Sequence, residues 1–425
     1  MHLDSLRRKI LFLFIAACAS LFSLFLTLSS AVAYKYGRGD DADSLHRAAE
    51  LEPKNAARHH WLGRVALFVE QDPHAAVNEL EETTRLNPWN VDYWLDLALA
   101  YKSIGDSAGE ARALDRALET EPKNLDAAIS EGNFFLSRGE TARAMQRFRV
   151  VLENDPPEAV SVIDTCWRAT HNADAVLEAL PPRADLNFRF LELLVRYGET
   201  DAAGKVWERL VTLPRPFQSD NPRPYIDWLI AMKQPAAGRK TWDQAQQILT
   251  NRPPSPELLV NPGFEDELQN AGFDWRFATS GTVTFDQDDQ QAHSGSRSLA
   301  INYSGASIND SGIWQLYPAI PGETLHLSAY SKTKDLLASE RPRLGVEDFY
   351  THALIATGPP IADSSTWQQT SVDFSVPADC HLLAFRIVLG TERSRIKGTL
   401  WIDDFQLVRA PTGPNLKVEA ITKVP

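Results

Sequence analysis

The apolar residues of the chain follow three successive patterns. Between Ile10 and Ala33 stand 24 residues without a charge, a proline or a glycine. From about residue 40 to residue 250 apolar side chains recur three and four positions apart, as on one face of a helix. After residue 256 short runs alternate apolar with polar, as on a half-buried strand. In order, these patterns predict a long apolar helix, a series of amphipathic helices and a set of β-strands.

The first helix measures about 36 Å at ~1.5 Å per residue, enough to cross a hydrocarbon core of ~30 Å with some tilt. Arg7, Arg8 and Lys9 precede it. The positive-inside rule therefore keeps residues 1–9 in the cytoplasm and makes residues 10–33 a transmembrane signal anchor. The bulk of the chain is then extracytoplasmic, in a periplasm or at the cell surface. Two other readings share that outcome. Ala31-Val32-Ala33 has the small-x-small pattern of a signal-peptidase site, although the apolar run exceeds the ~7–15 residues of a signal core. Ile15-Ala16-Ala17-Cys18 resembles a bacterial lipobox, but the apolar run continues well past Cys18.

Glu52-Pro53-Lys54-Asn55, Asn87-Pro88-Trp89-Asn90, Glu121-Pro122-Lys123-Asn124 and Asp155-Pro156 punctuate the helical stretch, with prolines 35, 34 and 34 residues apart. Between them the pattern predicts two helices and a short turn. Trp94, Leu97, Ala98 and Tyr101 share one face, Gly105 ends that helix, and Leu114 and Ala117 mark the next. Gly132, Phe135, Gly139, Ala144 and Phe148 repeat the scheme. These residues resemble the tetratricopeptide repeat, a helix-turn-helix of ~34 residues. Gly63, Ala98 and Gly132 stand at the small position of its first helix and Ala117 at that of the second, where Val151 departs. The resemblance covers residues 40–156. Residues 157–250 read as degenerate helical repeats: Gly198-Glu199-Thr200 echoes Gly139-Glu140-Thr141, and the prolines from Pro214 to Pro224 interrupt the array. The resemblance implies an α-helical solenoid that offers a surface to a protein partner. Inward positions of the first helices supply the partner-binding candidates His60, Arg64, Asp92, Lys102, Asp126 and Asn133. His59 and His60 point ~100° apart on a helix and nothing completes a ligand set, so no metal is expected there.

Residues 251–256, Asn-Arg-Pro-Pro-Ser-Pro, read as a proline-rich linker. Beyond it eight runs read as strands: residues 281–285, 298–303, 313–316, 324–330, 343–346, 369–374, 382–389 and 399–408. Such a series predicts a β-sandwich, followed by a flexible tail at 410–425. Several landmarks occur in order. Leu259-Val260-Asn261-Pro262-Gly263-Phe264-Glu265 and Asp274-Trp275-Arg276 open the region, and His293-Ser294-Gly295-Ser296-Arg297-Ser298-Leu299 follows. Then come Pro321-Gly322-Glu323-Thr324-Leu325, Trp367-Gln368-Gln369 and Trp401-Ile402-Asp403-Asp404-Phe405-Gln406-Leu407. Over residues 257–409 this order resembles the jelly-roll carbohydrate-binding modules of families four, nine and twenty-two. The resemblance implies a structural calcium held by Glu265 and Asp403, with backbone carbonyls near Gly263 and Arg297 completing its shell of ~6–8 oxygens. Polysaccharide binding needs an aromatic surface with planar polar groups. Trp314 and Tyr350 are the stacking candidates, and Gln315, Glu347 and Arg386 the polar ones. Trp314 is divided between cleft and core, because strand alternation places Ile313 and Gln315 opposite it.

Charge and composition narrow the function. Lys and Arg number 43 against 56 Asp and Glu, a formal −13 that argues against nucleic acid as a partner. Residues 257–409 hold 11 basic and 20 acidic residues, so most of the acidity belongs to the sandwich. Three cysteines, Cys18, Cys166 and Cys380, rule out a disulfide framework and read as free thiols. Acidic runs occur at Glu265-Asp266-Glu267, Asp288-Asp289, Glu347-Asp348 and Asp403-Asp404. Neighbours on a strand point to opposite faces, so none of these is expected to form the opposed carboxyl pair of a glycoside hydrolase. No nucleophile elbow, phosphate loop or zinc-protease helix is present in the sequence, and a non-enzyme is expected. The chain thus reads as a multidomain protein, α then β: a single transmembrane helix, a tetratricopeptide-like solenoid and a C-terminal jelly-roll sandwich. The expected function is a membrane-anchored scaffold with a protein partner on the repeats and polysaccharide on the sandwich, in cell-surface glycan or exopolysaccharide assembly. A pure protein-assembly scaffold is the alternative, and a glycan-acting enzyme a remote one.

Overall fold

A computed structural model describes residues 6–36, 42–154, 157–214, 216–218, 221–253, 257–278, 280–390 and 393–409. The tail at 410–425, half of the linker (254–256) and Asp155-Pro156 lie outside the described residues. The chain forms two compact units, Met1–Leu193 and Leu194–Pro425.

The first unit is helical. Helix α1 (Leu6–Tyr36) carries the apolar run, with its large side chains exposed. Among the described residues it is the one helix long and apolar enough to cross a membrane. Ala33 is fully buried where α1 meets α2 (Ala42–Leu51). Paired helices follow: α3 (Ala56–Val65, continued by a π-turn at Ala66–Glu70) with α4 (Pro73–Leu86), α5 (Val91–Ser103) with α6 (Ser107–Thr120), and α7 (Leu125–Ser137) with α8 (Thr141–Glu153).

The punctuation seen in the sequence has a local cause. Asn55, Asn90 and Asn124 are the N-caps of α3, α5 and α7, each accepting a backbone N–H from the first turn. Asp72 and Asp106 do the same for α4 and α6. Gly105 and Gly139 end α5 and α7 at φ +75°, a left-handed conformation that costs a glycine little. Gly63 and Gly132 are small for a different reason. A Cβ on Gly63 would lie 2.5 Å from Leu80 Cγ, and one on Gly132 would strike the Phe148 ring. Ala98, Ala117 and Val151 are buried at the corresponding contacts.

Helices α9 (Ala159–Thr170), α10 (Ala173–Ala179) and α11 (Ala184–Tyr197) continue the series, and the division between units falls within α11. Gly198 repeats the turn of Gly139. Its φ is +78°, and Glu199 N–H bonds Leu194 O at 3.0 Å as Glu140 N–H bonds Phe135 O at 2.9 Å.

The second unit opens with α12 (Thr200–Leu210), α13 (Arg223–Ala231) and α14 (Pro235–Thr250). Trp207 ties the first to the last, its Nε1–H donating to Gln244 Oε1 at 2.9 Å. Ten strands follow: β1 (Arg276–Phe277), β2 (Val283–Asp288), β3 (Ser298–Ile308), β4 (Asp310–Pro318), β5 (Thr324–Ala338), β6 (Arg343–Asp348), β7 (Leu354–Thr357), β8 (Gln368–Ser375), β9 (Leu382–Val388) and β10 (Ser394–Arg409). They make two antiparallel five-stranded sheets, ordered β1-β4-β9-β6-β7 and β2-β3-β10-β5-β8. Alternate residues such as Leu299, Ile301, Leu327, Leu344, Phe385 and Ile402 meet in one core between the sheets. Eight of these strands were legible in the sequence. β1 and β7 were not, being two and four residues long and too short to show alternation.

The compact unit that holds the sheets begins at Leu194 and includes α12–α14. The physical reason is a second apolar cluster. Ile226 and Ile230 of α13 and Trp242 of α14 join Phe273, Leu316, Leu382 and Ala384 on the face of the first sheet that points away from the core.

Candidate functional site

Alternation along β4 sends Ile313 and Tyr317 into the core and Trp314 and Leu316 to the outer face; along β9 it sends Leu383 and Phe385 inward and Leu382 and Ala384 outward. Trp314, like Phe349 and Tyr350, packs partly buried against the helix-covered cluster. Its cross-strand partner is Arg386, whose guanidinium sits 5.4 Å from the Trp314 ring centroid. Arg386 donates to Asp310 at 2.7 Å and to Glu347 at 3.3 Å, and Glu347 pairs with His352 at 2.7 Å. Tyr350 is held differently: its hydroxyl donates to the Ile230 carbonyl of α13 at 2.7 Å, and burial pushes its phenol up to about 12. Gln315 is on the other side of the strand, fully buried, with Nε2 donating to Val260 O at 2.6 Å.

Of the five sugar-binding candidates, then, Trp314, Glu347 and Arg386 share one cluster, Tyr350 is bonded to a covering helix, and Gln315 faces inward. Asp310 and His352 complete the cluster and carry no periodic signal that marks them in the sequence.

The calcium candidates converge around Gly263. A Cβ there would lie 3.7 Å from Asp403 Oδ1, 3.5 Å from Asp404 Oδ1 and 3.8 Å from Glu265 Cγ. The Glu265 carboxylate accepts N–H bonds from Ser296 at 2.9 Å and Arg297 at 3.1 Å. Burial works against the charged form, but the Ser296 hydroxyl, which donates at 2.6 Å, and these N–H bonds hold Glu265 below its usual range. Asp403 accepts from His293 N–H at 2.7 Å and from Asp404 N–H at 2.7 Å, while burial pushes its carboxyl up to about 6. The sequence expectation that Asp403 and Asp404 point apart is corrected here. Asp404 has φ +47° at a register shift of β10, so both side chains reach the same loop, where Asp404 pairs with His293 at 2.5 Å and Ser294 at 2.7 Å. Among the described residues neither Asp403 nor Asp404 has a Lys or Arg partner. Three carboxylates near one glycine, with one arginine adjoining, suit a hard divalent cation in donor type. No cluster of three or more His, Cys, Asp or Glu side chains with metal-binding geometry occurs among the described residues, so backbone carbonyls would have to supply part of the shell.

On the repeats, His60 and Arg64 of α3 converge on Asp96 of α5, at 2.7 and 2.9 Å, and the His60 ring lies 4.5 Å from that of Tyr93. Burial pushes Asp96 up, but the His60 hydrogen bond and the Arg64 charge outweigh it and leave the carboxyl below its usual range. Asp92, Lys102, Asp126 and Asn133 are exposed. Asp96 was not singled out in the sequence, because only the packing of neighbouring repeats places it within reach of residues 32 and 36 positions away. Cys18, Cys166 and Cys380 are all free; burial pushes the Cys166 thiol up to about 12.

No protein-family model matches the chain. Anaphase-promoting complex subunit 3 of Dictyostelium discoideum is 32% identical over 85 residues, 20% of this chain and 9% of that protein. The chain thus spans less than a tenth of the curated relative it matches. Among solved structures, a CBM4 module is 13% identical, over 36% of this chain and 99% of its own, at a TM-score of 0.29. The MamA protein is 16% identical, over 44% of this chain and 89% of its own, at 0.27. Yeast Tom70 is 14% identical, over 53% of this chain and 49% of its own, at 0.29.

Near the covered face, Asp274 is 1% exposed. Its Oδ2 accepts Gln269 N–H at 2.7 Å, and Oδ1 has no partner among the described residues. Burial pushes its carboxyl up to about 6, against the pull of the Gln269 and Trp275 N–H groups. The folded chain therefore holds this proton from about pH 6 downward, whereas an unfolded Asp releases it near 3.8. More protons bound in the folded state means stability rises as pH falls from about 6 to about 4, and the charged form is a cost above 6. Asp274→Asn is expected to stabilise the second unit at pH 7.5 by roughly 1–3 kcal/mol and to flatten its stability between pH 4 and 6. Thermal melts across that range check this; an unchanged pH slope in the variant would contradict it.

Proposed function

We propose that the protein is a membrane-anchored scaffold that holds a protein partner on its helical repeats, with the bulk of the chain outside the cytoplasm. The observation that carries this reading is the run of capped hairpins from α3 to α8. Its periodic apolar positions such as Leu62, Leu80, Leu97, Leu114, Phe135 and Phe148 are buried, and Asp92, Lys102, Asp126 and Asn133 remain exposed along the first helices. Helix α1 supplies the anchor: its length and outward apolar side chains suit lipid, and Arg7, Arg8 and Lys9 favour a cytoplasmic start. In this reading the protein binds and positions; it does not catalyse.

The sandwich serves such a scaffold as a rigid terminal unit whose outer face is sealed by α13 and α14. Polysaccharide on the sandwich, in the assembly of a surface glycan, is the second reading. It is favoured by one observation, the convergence of Trp314, Glu347 and Arg386 on one face. It requires a sugar to be recognised at the edge of the helix cover, since the floor of that face is buried under Ile230 and Trp242.

A photo-crosslinking residue in place of Asp126, in membranes of the source cell, is expected to capture a discrete protein. Reversing Asp92 and Lys102 should weaken capture at least tenfold without changing the melting temperature. A chain that crosslinks nothing, yet is retarded in polysaccharide affinity gels unless Trp314 is replaced by alanine, would support the second reading instead. Calcium is proposed as a structural ion at Glu265, Asp403 and the carbonyls near Gly263 and Arg297. Removing it with EDTA should lower the melting temperature of the full chain and added calcium should restore it; identical melts would exclude the ion.

A further inference from the structure

A cavity of about 370 Å³ opens between α6, α7 and α8. Its walls are Phe134 and Phe135, 8% and 4% exposed. Arg138 and Arg143 also line it, but their charge is already met. Both pair with Glu140, at 3.2 and 2.7 Å, and they rest on the Phe134 and Phe135 rings at 5.5 and 3.9 Å.

The carboxylates on the other side are not so well matched. Glu131 is 1% exposed; no N–H donor makes a well-aligned hydrogen bond to either of its oxygens, and the Asp115 carboxyl is near enough to share a proton with it. One ion pair, Arg147 Nε to Oε2 at 2.5 Å, is its direct cationic contact, and Oε1 has no N–H donor among the described residues. The exposed carboxylate of Asp115 lines the same cavity. Burial raises the Glu131 carboxyl; the Arg147 charge opposes this, the Asp115 charge and hydrogen bond add to it, and the Arg143 charge opposes it further. Two carboxylates therefore crowd together, with the direct ion pair to Arg147 on Glu131 alone. A buried carboxylate oxygen with no donor costs several times what an ordinary hydrogen bond contributes, and one cation with N–H donors placed between the two would relieve both.

We propose that this cavity receives a basic side chain of the partner protein, a lysine or arginine, with its cationic head between Asp115 and Glu131 and its methylene stem along Phe134 and Phe135. Both basic residues lay their stems on apolar surface while keeping the head on polar groups, and aromatic faces attract the cation. The volume is at the lower end of the ~300–1,000 Å³ of small-ligand sites, which suits one side chain and not a folded element. Neither Asp126 nor Asn133, the groove candidates on α7, lines the cavity. The inference rests on the scaffold reading above.

The test uses the full chain in detergent micelles and two probes, Nα-acetyl-lysine methylamide and its uncharged norleucine analogue, titrated by NMR. The lysine probe is expected to bind at least tenfold more tightly than the norleucine probe. Asp115→Asn, at an exposed position that leaves the fold intact, should weaken the lysine probe at least tenfold. Asp115→Lys should place a resident ammonium beside Glu131, abolishing probe binding and raising the melting temperature by ~2–4 °C. Equal affinity for the two probes, or lysine binding unaffected by Asp115→Asn, would overturn the inference. If the lysine probe fails while Asp126 still crosslinks a partner, the cavity assignment falls and the scaffold reading stands. If the probe binds as expected and no partner is crosslinked, the cation site stands and the scaffold reading falls.

Discussion

A β-sheet whose two faces are both apolar must be covered twice. The first sheet of this protein is such a sheet. One face meets the second sheet through Leu344, Leu383 and Phe385, and the other presents Leu316, Leu382 and Ala384. Water on that second face would leave a contiguous apolar patch of the kind soluble proteins seldom expose. Helices α13 and α14 cover it with Ile226, Ile230 and Trp242, and the Tyr350 hydroxyl fixes the fit by donating to Ile230 O at 2.7 Å. Each of those large side chains contributes ~1.5–3 kcal/mol when fully buried. The second compact unit therefore begins before the sandwich, and the sugar-facing reading of the sheet has to be confined to its rim.

Much of this architecture was legible in the sequence because local rules and tertiary packing agree. The Asn caps, the left-handed glycines and the small residues at helix crossings repeat every 34 or 35 positions, so each hairpin announces itself. The covered sheet face was less legible, though a signal was present. Leu382 to Val388 reads Leu-Leu-Ala-Phe-Arg-Ile-Val, a nearly unbroken apolar run, and such runs belong to strands buried on both faces. The prolines near residue 253 mark where the helical pattern ends, yet apolar packing joins the helices before them to the sheet after them, since proline marks a turn in the chain but not a gap in packing.

The polar sites were legible only in part, and for a different reason. Glu265 and Asp403 were singled out through their setting in a run of landmarks, while Asp403 and Asp404 were expected to point to opposite faces because ideal strands alternate. A left-handed residue at a bulge breaks that alternation and brings both carboxylates to one loop. Asp96, Asp310 and Glu131 act across 30 or more residues of sequence or through the loss of solvent, and neither is written in local spacing. Burial decides the chemistry of several of them: Asp274 and Asp403 are pushed up to about 6 by desolvation, although each accepts backbone N–H bonds. An acidic chain thus keeps its charge on exposed turns and pays for it where carboxylates are enclosed.

The central claim is that the outer face of the first sheet is sealed by α13 and α14, so that helices and sandwich form one folding unit. It is tested most directly by comparing two fragments, residues 221–409 and 257–409, by size exclusion and thermal melting with tryptophan fluorescence. The account predicts that the longer fragment is monomeric with a cooperative melt, and that the shorter one aggregates or melts at least ~5 °C lower. A 257–409 fragment that stays monomeric and melts at the same temperature would contradict it.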